Sequence, residues 1–166
     1  MALFLGSTIG NFARSEAQAF LSDVAARLLP GDYLLLGTDL QRDPARLLPA
    51  YDDPLGLTAS FNKNVLLRMN RELGADFDLL RWAHEARWNA TDAAVEMHLR
   101  SEIAQHVTIP GAGVRASFRA GETIWTESSH KFTREEAGAL GEQAGFRLIG
   151  QWIDEEWPFA ETLFRL

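Results

Sequence analysis

The chain has 166 residues, of which 46% are apolar and 23% are charged, and its net charge is −7. This length is enough for one domain with its own core, and such an acidic chain is a poor candidate for binding DNA or RNA. The absence of cysteine excludes disulfides and thiolate metal sites. No apolar run approaches the ~20 residues that span a membrane. Because no basic segment precedes the first apolar run, we expect no secretion signal and a cytoplasmic location.

The first part of the sequence predicts alternating strands and helices. A short apolar run leads into the polar loop at residues 6–11, which is typical of a buried strand that ends in a turn. Ser15 and Gln18 have the spacing of a capping box, so we expect a helix from Ser15 to Pro30. The apolar run at residues 33–39 indicates a strand covered on both faces, as in a parallel sheet.

Two helices and several strands follow. Asp43-Pro44 begins a short helix, and a longer helix is expected from about Thr58 to Gly74. Its predicted buried stripe consists of Phe61, Val65, Leu66, Met69 and Leu73. Alternation of apolar residues predicts strands at 94–100, 114–118 and 121–129. A capping box at Thr133 and Glu136 begins a helix that ends at Gly145, and residues 146–154 and 159–166 are predicted as final strands.

The order of these elements predicts an α/β fold. A strand, helix, strand, helix series comes first, and a further helix and mostly antiparallel strands follow it. No linker is long or polar enough to separate a second domain, so a single domain is predicted.

Three side chains of one predicted strand form a candidate binding face. Trp125, Glu127 and Ser129 alternate along the strand, so they point to the same side. A carboxylate beside a hydroxyl can hold a small ring that bears N–H groups, and an indole can cover that ring. The alternative is a solvent-exposed strand face without a ligand.

The loop at residues 6–11 is a second candidate, because open α/β sheets bind ligands at the carboxyl ends of their strands. Gly6 leaves the backbone accessible, and the Asn11 amide offers both a donor and an acceptor. The loop lacks the spacing of a phosphate loop and of the dinucleotide fingerprint. A tight turn between a strand and a helix is the alternative.

Further candidates carry weaker signals. Tyr51 offers a hydroxyl to a substrate, and Asp52 with Asp53 offers oxygens to a cation, although an ordinary helix end explains the same residues. Met97 faces the same side as two apolar neighbours, so core packing is its alternative. The His84-Glu85 pair lacks the second histidine of a zinc protease motif, and no serine nucleophile motif is present.

Seven segments, taken in chain order, resemble the histidine-specific methyltransferases. They are residues 5–12, 34–40, 50–53, 58–64, 70–77, 95–101 and 122–132. The resemblance covers nearly all of residues 3–164. It implies the C-terminal part of a Rossmann-like methyltransferase sheet at residues 1–50 and about 120–166, with a mostly antiparallel substrate-binding insertion at about 51–119.

The resemblance also implies an activity and a set of roles. Family members use S-adenosylmethionine to methylate the α-amino nitrogen of L-histidine three times, giving hercynine, the first step of ergothioneine biosynthesis. The substrate-binding residues implied by motif are Asn11 and Tyr51 for the amino acid's backbone groups, Glu127 and Ser129 for the imidazole, Met97 for the pocket lining, and Gly6 and, through water, Thr58 as further contacts.

The chain departs from the family in one respect. Family members carry an N-terminal half, with the glycine-rich cofactor loop, that these 166 residues lack. The chain is therefore expected to be a partial domain that is inactive alone, with the complementary half as a partner and with no assignable cofactor residues. The alternatives are a non-catalytic amino-acid-binding module, and a half-enzyme that acts on another amino acid such as tryptophan.

Overall fold

The computed structural model describes all of residues 1–166, which divide into two units. The first unit contains residues 1–43, 89–94 and 128–166, and the second contains residues 44–88 and 95–127. Each unit has its own apolar core. The division into a core sheet and a substrate-binding insertion at about 51–119 stays a prediction.

The helices and strands alternate along the chain. In order, they are β1 (Ala2–Phe4), α1 (Arg14–Ala25), β2 (Tyr33–Asp39), α2 (Pro44–Leu47), α3 (Leu57–Leu73), β3 (Trp82–Asn89), β4 (Ala94–Ser101), β5 (Gln105–Ile109), β6 (Val114–Phe118), β7 (Thr123–His130), α4 (Arg134–Gln143), β8 (Arg147–Asp154) and β9 (Phe159–Arg165). The predicted α/β fold class is confirmed. No helix combines the length and the apolar character needed to cross a membrane.

The first unit is built on a four-stranded sheet in the order β1-β2-β9-β8. Strands β1 and β2 are parallel, whereas β9 is antiparallel to both β2 and β8. Helices α1 and α4 pack on one face, where Leu21, Leu36 and Phe164 are fully buried. On the other face, Leu3 and Trp152 are 56% and 60% exposed. In β2 itself, every residue is buried or half-buried, so the covering that its pattern predicts is complete on one face and partial on the other.

The second unit packs around Leu66, Phe77, Trp82, Leu99 and Val107. Strands β3, β4 and β7 form a three-stranded sheet, and β5 and β6 form a hairpin. Residues 123–127 of β7 belong to this unit, and residues 128–130 belong to the first.

The two predicted capping boxes have different outcomes. The box at Thr133 is confirmed, since Glu136 N donates to the Thr133 hydroxyl and the Glu136 carboxylate accepts from Thr133 N. The box at Ser15 is wrong, because α1 begins after Ala13, whose N–H is bound by the Glu16 carboxylate at 2.9 Å. The same helix ends at Ala25, well before Pro30. It is followed by turns in which the N–H of one residue donates to the carbonyl three residues earlier.

The buried stripe of α3 differs from the prediction. Phe61 is 71% exposed and Val65 is 43% exposed, whereas Leu66 is fully buried and Asn62 is 5% exposed. The amide of Asn62 finds polar partners inside the unit, so it can be buried in place of an apolar side chain. The end of this helix at Gly74, in the left-handed conformation, is confirmed.

Strands β3 and β5 are absent from the prediction. In β3, Glu85 pairs with Arg87 at 2.7 Å and with Arg100 of the adjacent β4 at 3.4 Å. Ion pairs between half-buried side chains leave no apolar alternation in the sequence, so hydrophobic periodicity does not indicate this strand.

Candidate substrate-binding site

The loop that follows β1 is held against β2 in the first unit. Ser7 adopts the left-handed conformation at φ 57°, and its hydroxyl accepts the N–H of Asp39 at 2.8 Å. Gly6 also has a positive φ, and a side chain there would meet no atom within 4 Å. Gly6 and Asn11 are exposed at this end of the sheet. The backbone is thus open to a ligand at the position where the sequence predicts one.

The same loop is packed against the end of β7. A Cβ atom on Gly10 would lie 2.7 Å from the backbone oxygen of His130, so only glycine fits at this position. The Nδ1 atom of His130 lies 2.9 Å from the carbonyl oxygen of Gly10. Since Ser129 precedes His130 in β7, the structure brings the predicted residues Asn11 and Ser129 to the same end of the first unit.

A buried lysine links β2 to β7. The Nζ atom of Lys131 lies 2.8 Å from the Asp39 carboxylate and donates to the Ser129 hydroxyl at 2.8 Å. Its side chain is only 1% exposed, and Ser129 is 9% exposed. The other oxygen of Asp39 pairs with Arg42. Ser129, a predicted ring ligand, is therefore held by an ionic network, which we call the lysine network (Asp39, Arg42, Ser129 and Lys131).

Tyr51 is held in the second unit by a chain of neutral groups. The Nε2 atom of His84 lies 2.7 Å from the carbonyl oxygen of Tyr51, and the Nδ1 atom lies 2.9 Å from the amide nitrogen of Asn62. Asn62 also donates to the carbonyl oxygen of His98 at 3.2 Å. Because a carbonyl only accepts, these partners are best satisfied when His84 carries its proton on Nε2. We call this set the histidine relay (Tyr51, Asn62, His84 and His98).

Thr58 lies at the start of α3, where Asp53 caps the helix. The two oxygens of Asp53 accept the N–H groups of Thr58 and Leu57 at 2.7 and 3.1 Å. These bonds, that to Thr58 above all, lower the pKa of Asp53 from 3.8 to about 2. The carboxylate oxygens that the sequence offers to a cation are thus used by the backbone, which favours the helix-end alternative for Asp53.

Met97 and Glu127 lie on neighbouring strands of the second unit. The Thr126 hydroxyl donates to the carbonyl oxygen of Met97 at 2.8 Å, which places Met97 beside β7 next to Glu127. Met97 is buried and Glu127 is half-buried. The indole N–H of Trp125 donates to the carbonyl oxygen of Glu127 at 3.0 Å. The ligand roles of Met97 and Glu127 stay predictions.

Sequence reasoning misses the residues that support the predicted ligands. Lys131 continues the alternation of Glu127 and Ser129, and a lysine at the end of such a face is a signal that could find it. His84 and Asn62 carry no comparable signal, because their pairing joins a strand and a helix that are far apart in the sequence. These contacts follow from the fold alone.

Comparison with known proteins places the chain in a family. A family model described as "Histidine-specific methyltransferase, SAM-dependent" matches residues 1–166. A histidine N-alpha-methyltransferase of Mycolicibacterium smegmatis is 47% identical over 163 residues, which are 98% of this chain and 51% of that protein. The ergothioneine biosynthesis protein 1 of Schizosaccharomyces pombe is 32% identical, and the match covers 90% of this chain and 19% of that protein.

A solved structure supports the fold. An S-adenosylmethionine-dependent methyltransferase from Clostridium acetobutylicum superposes with a TM-score of 0.50 at 8% sequence identity, and the match covers 99% of this chain and 56% of that one. The chain therefore spans about half the length of the bacterial relative and of this structural neighbour.

Proposed function

Because the chain belongs to the histidine-specific, S-adenosylmethionine-dependent methyltransferase family, we propose that it is the acceptor-binding part of an enzyme that methylates the α-amino nitrogen of L-histidine. The product would be hercynine, in ergothioneine biosynthesis. The observation that carries the proposal is the contact of the loop at residues 6–11 with the end of β7, where Gly10 lies against His130, the residue that follows Ser129. We further propose that the complementary half of the enzyme is its partner and that it acts in the cytoplasm.

Each predicted ligand has a role in this proposal. Glu127 accepts a ring N–H of the substrate, and the Ser129 hydroxyl contacts the other ring nitrogen. Asn11 and Tyr51 orient the amino acid so that its amine is aligned for an in-line displacement. Alignment of this kind supplies about 7–11 kcal/mol of a reaction barrier. A substrate without the ring N–H would leave the Glu127 carboxylate unpaired, at a cost of about 1–3 kcal/mol or more.

The residues of this chain fit the methyl donor only in part. Open space above Gly6 leaves room for a ligand at the end of β1. The space beside Gly10 is occupied by the backbone of His130. No glycine-rich loop of the dinucleotide or phosphate type is present in the sequence. We therefore assign no donor contact to these residues, and the role proposed for them is to bind and orient the acceptor.

A chimeric enzyme tests the proposal. Residues 1–166 replace the aligned segment of the M. smegmatis relative, and the purified protein is incubated with S-adenosylmethionine and either L-histidine or L-tryptophan. We expect mono-, di- and trimethylated histidine by mass spectrometry, with little product from tryptophan. A folded chimera that methylates tryptophan in preference would contradict the proposed acceptor, and one that binds histidine without methylating it would favour a non-catalytic binding module.

A further inference from the structure

Lys131 is an unusual residue for the interior of a protein. Lysine is almost never fully buried unless it is paired, and here the ammonium group contacts both the Asp39 carboxylate and the Ser129 hydroxyl at 2.8 Å. The family resemblance assigns Lys131 no role. The ammonium group contacts a predicted ligand of the substrate ring, the Ser129 hydroxyl.

The chemistry of the contact fixes the direction of one hydrogen bond. A lysine ammonium only donates, whereas a serine hydroxyl has one proton and two acceptor lone pairs. Ser129 Oγ must therefore be the acceptor toward Lys131, and its own proton cannot point at the ammonium. The hydroxyl proton is directed to an acceptor elsewhere. The contact with Lys131 therefore leaves Ser129 with its proton and one lone pair, so the hydroxyl can still donate to an acceptor on a ligand.

We infer that Lys131 is a positioning residue that determines specificity, because it keeps Ser129 as a donor toward an unprotonated ring nitrogen of the substrate. This inference rests on the proposed function. With Glu127 accepting one N–H and Ser129 donating to the second nitrogen, the site selects a ring with one donor and one acceptor. Neutral imidazole has both, whereas pyrrole and indole have the N–H but no acceptor nitrogen.

A purely structural role for Lys131 makes a different prediction. In that case the ammonium only neutralises the Asp39 carboxylate, and its loss affects all ligands alike. The backbone of Lys131 is held independently, because its N–H donates to the Ala93 carbonyl at 2.7 Å and its carbonyl accepts from Arg14 at 2.8 Å. A side-chain substitution therefore tests the ammonium group while these backbone contacts remain.

The experiment compares two ligands that differ in one ring atom. L-Histidine and its pyrrole analogue, in which a CH group replaces the acceptor nitrogen, are titrated by calorimetry into the chain and into the chimeric enzyme. The variants are Lys131→Met, Lys131→Arg and Ser129→Ala, and Lys63→Met changes the other lysine of the chain as a control. If Lys131→Met does not fold, the double variant with Asp39→Asn and Lys131→Met is used in its place, because it removes both charges of the ion pair together.

We expect Lys131→Met to weaken the binding of histidine about tenfold, as for the loss of one charge-assisted hydrogen bond. Binding of the pyrrole analogue should change less than about twofold, and Lys131→Arg should restore part of the preference for histidine. In the Ser129→Ala background the lysine substitution should no longer alter that preference. An equal loss for both ligands, or no loss, would overturn the role of Lys131. Failure of the unsubstituted chimeric enzyme to bind histidine would overturn the proposed function itself.

Discussion

The lysine network and the histidine relay hold predicted ligands by different physical means. In the first unit, the buried Asp39–Lys131 ion pair fixes a side-chain hydroxyl, that of Ser129. In the second unit, neutral amide and imidazole groups fix the backbone of Tyr51 and leave its side chain to other contacts. The Lys131 ammonium directs the Ser129 hydroxyl proton away from itself, whereas the histidine relay determines only where Tyr51 lies. We therefore expect specificity to depend on the first and affinity in general to depend on the second.

The largest effect should come from breaking the buried ion pair. Asp39→Asn leaves the ammonium of Lys131 buried without its carboxylate, so the free energy of unfolding should fall by about 3–5 kcal/mol in urea denaturation. The matched control is Asp23→Asn, because Asp23 pairs with Arg27 at 3.8 Å and both side chains are more than 70% exposed. That change should cost less than about 1 kcal/mol. An equal loss of free energy of unfolding in the two variants would show that burial gives the Asp39–Lys131 ion pair no greater contribution to stability than an exposed pair has.

The histidine relay should be less costly to break. Asn62→Ala removes one donor to His84 and to the His98 carbonyl, so we expect a loss of about 1–3 kcal/mol. Asn64→Ala is the control, because Asn64 lies on the same helix and is exposed, and it should change the free energy of unfolding by less than about 0.5 kcal/mol. In the chimeric enzyme, Asn62→Ala should weaken the binding of histidine and the binding of its pyrrole analogue to the same extent. A loss of affinity for histidine alone would contradict the assignment of specificity to the lysine network and of general affinity to the histidine relay.

The smallest effect concerns the exposed cap at the start of α3. The pKa of Asp53 is lowered from 3.8 to about 2 by the N–H groups of Thr58 and Leu57. A lowered pKa stabilises the folded state above the unfolded value, so this contribution is present above pH 4 and is lost as the pH falls toward about 2. Asp53→Asn should flatten the dependence of the thermal midpoint on pH in that interval. The adjacent Asp52→Asn is the control and should leave the dependence as it is in the parent protein.

The predictability of the fold follows from how each element is stabilised. Strand β2 and the ends of α3 and α4 are specified by local apolar runs, a terminal glycine and a capping box, all of which are visible in the sequence. Strand β3 is stabilised by ion pairs, so hydrophobic periodicity does not indicate it, and the buried face of α3 contains Asn62, so periodicity assigns that face incorrectly. Burial of a polar side chain depends on partners from distant segments, which no local pattern specifies.

The candidate site divides in the same way. Ser129 and the loop at residues 6–11 follow from strand alternation and from the position of a loop after a buried strand. In the structure the loop contacts His130, the residue next to Ser129. Lys131 acts on Ser129 only because Asp39, some 90 positions earlier in the chain, lies at the end of β2. The sequence therefore predicts which groups bind a ligand, but it does not indicate which groups hold those side chains in place.

We propose that this chain carries the residues that recognise the histidine ring. The most direct test of this claim is the calorimetric affinity of the chimeric enzyme for L-histidine with Glu127→Gln, beside Glu102→Gln as an exposed control. We expect at least about tenfold weaker binding for the first variant and unchanged binding for the second. Parental affinity in a folded Glu127→Gln enzyme would contradict the claim.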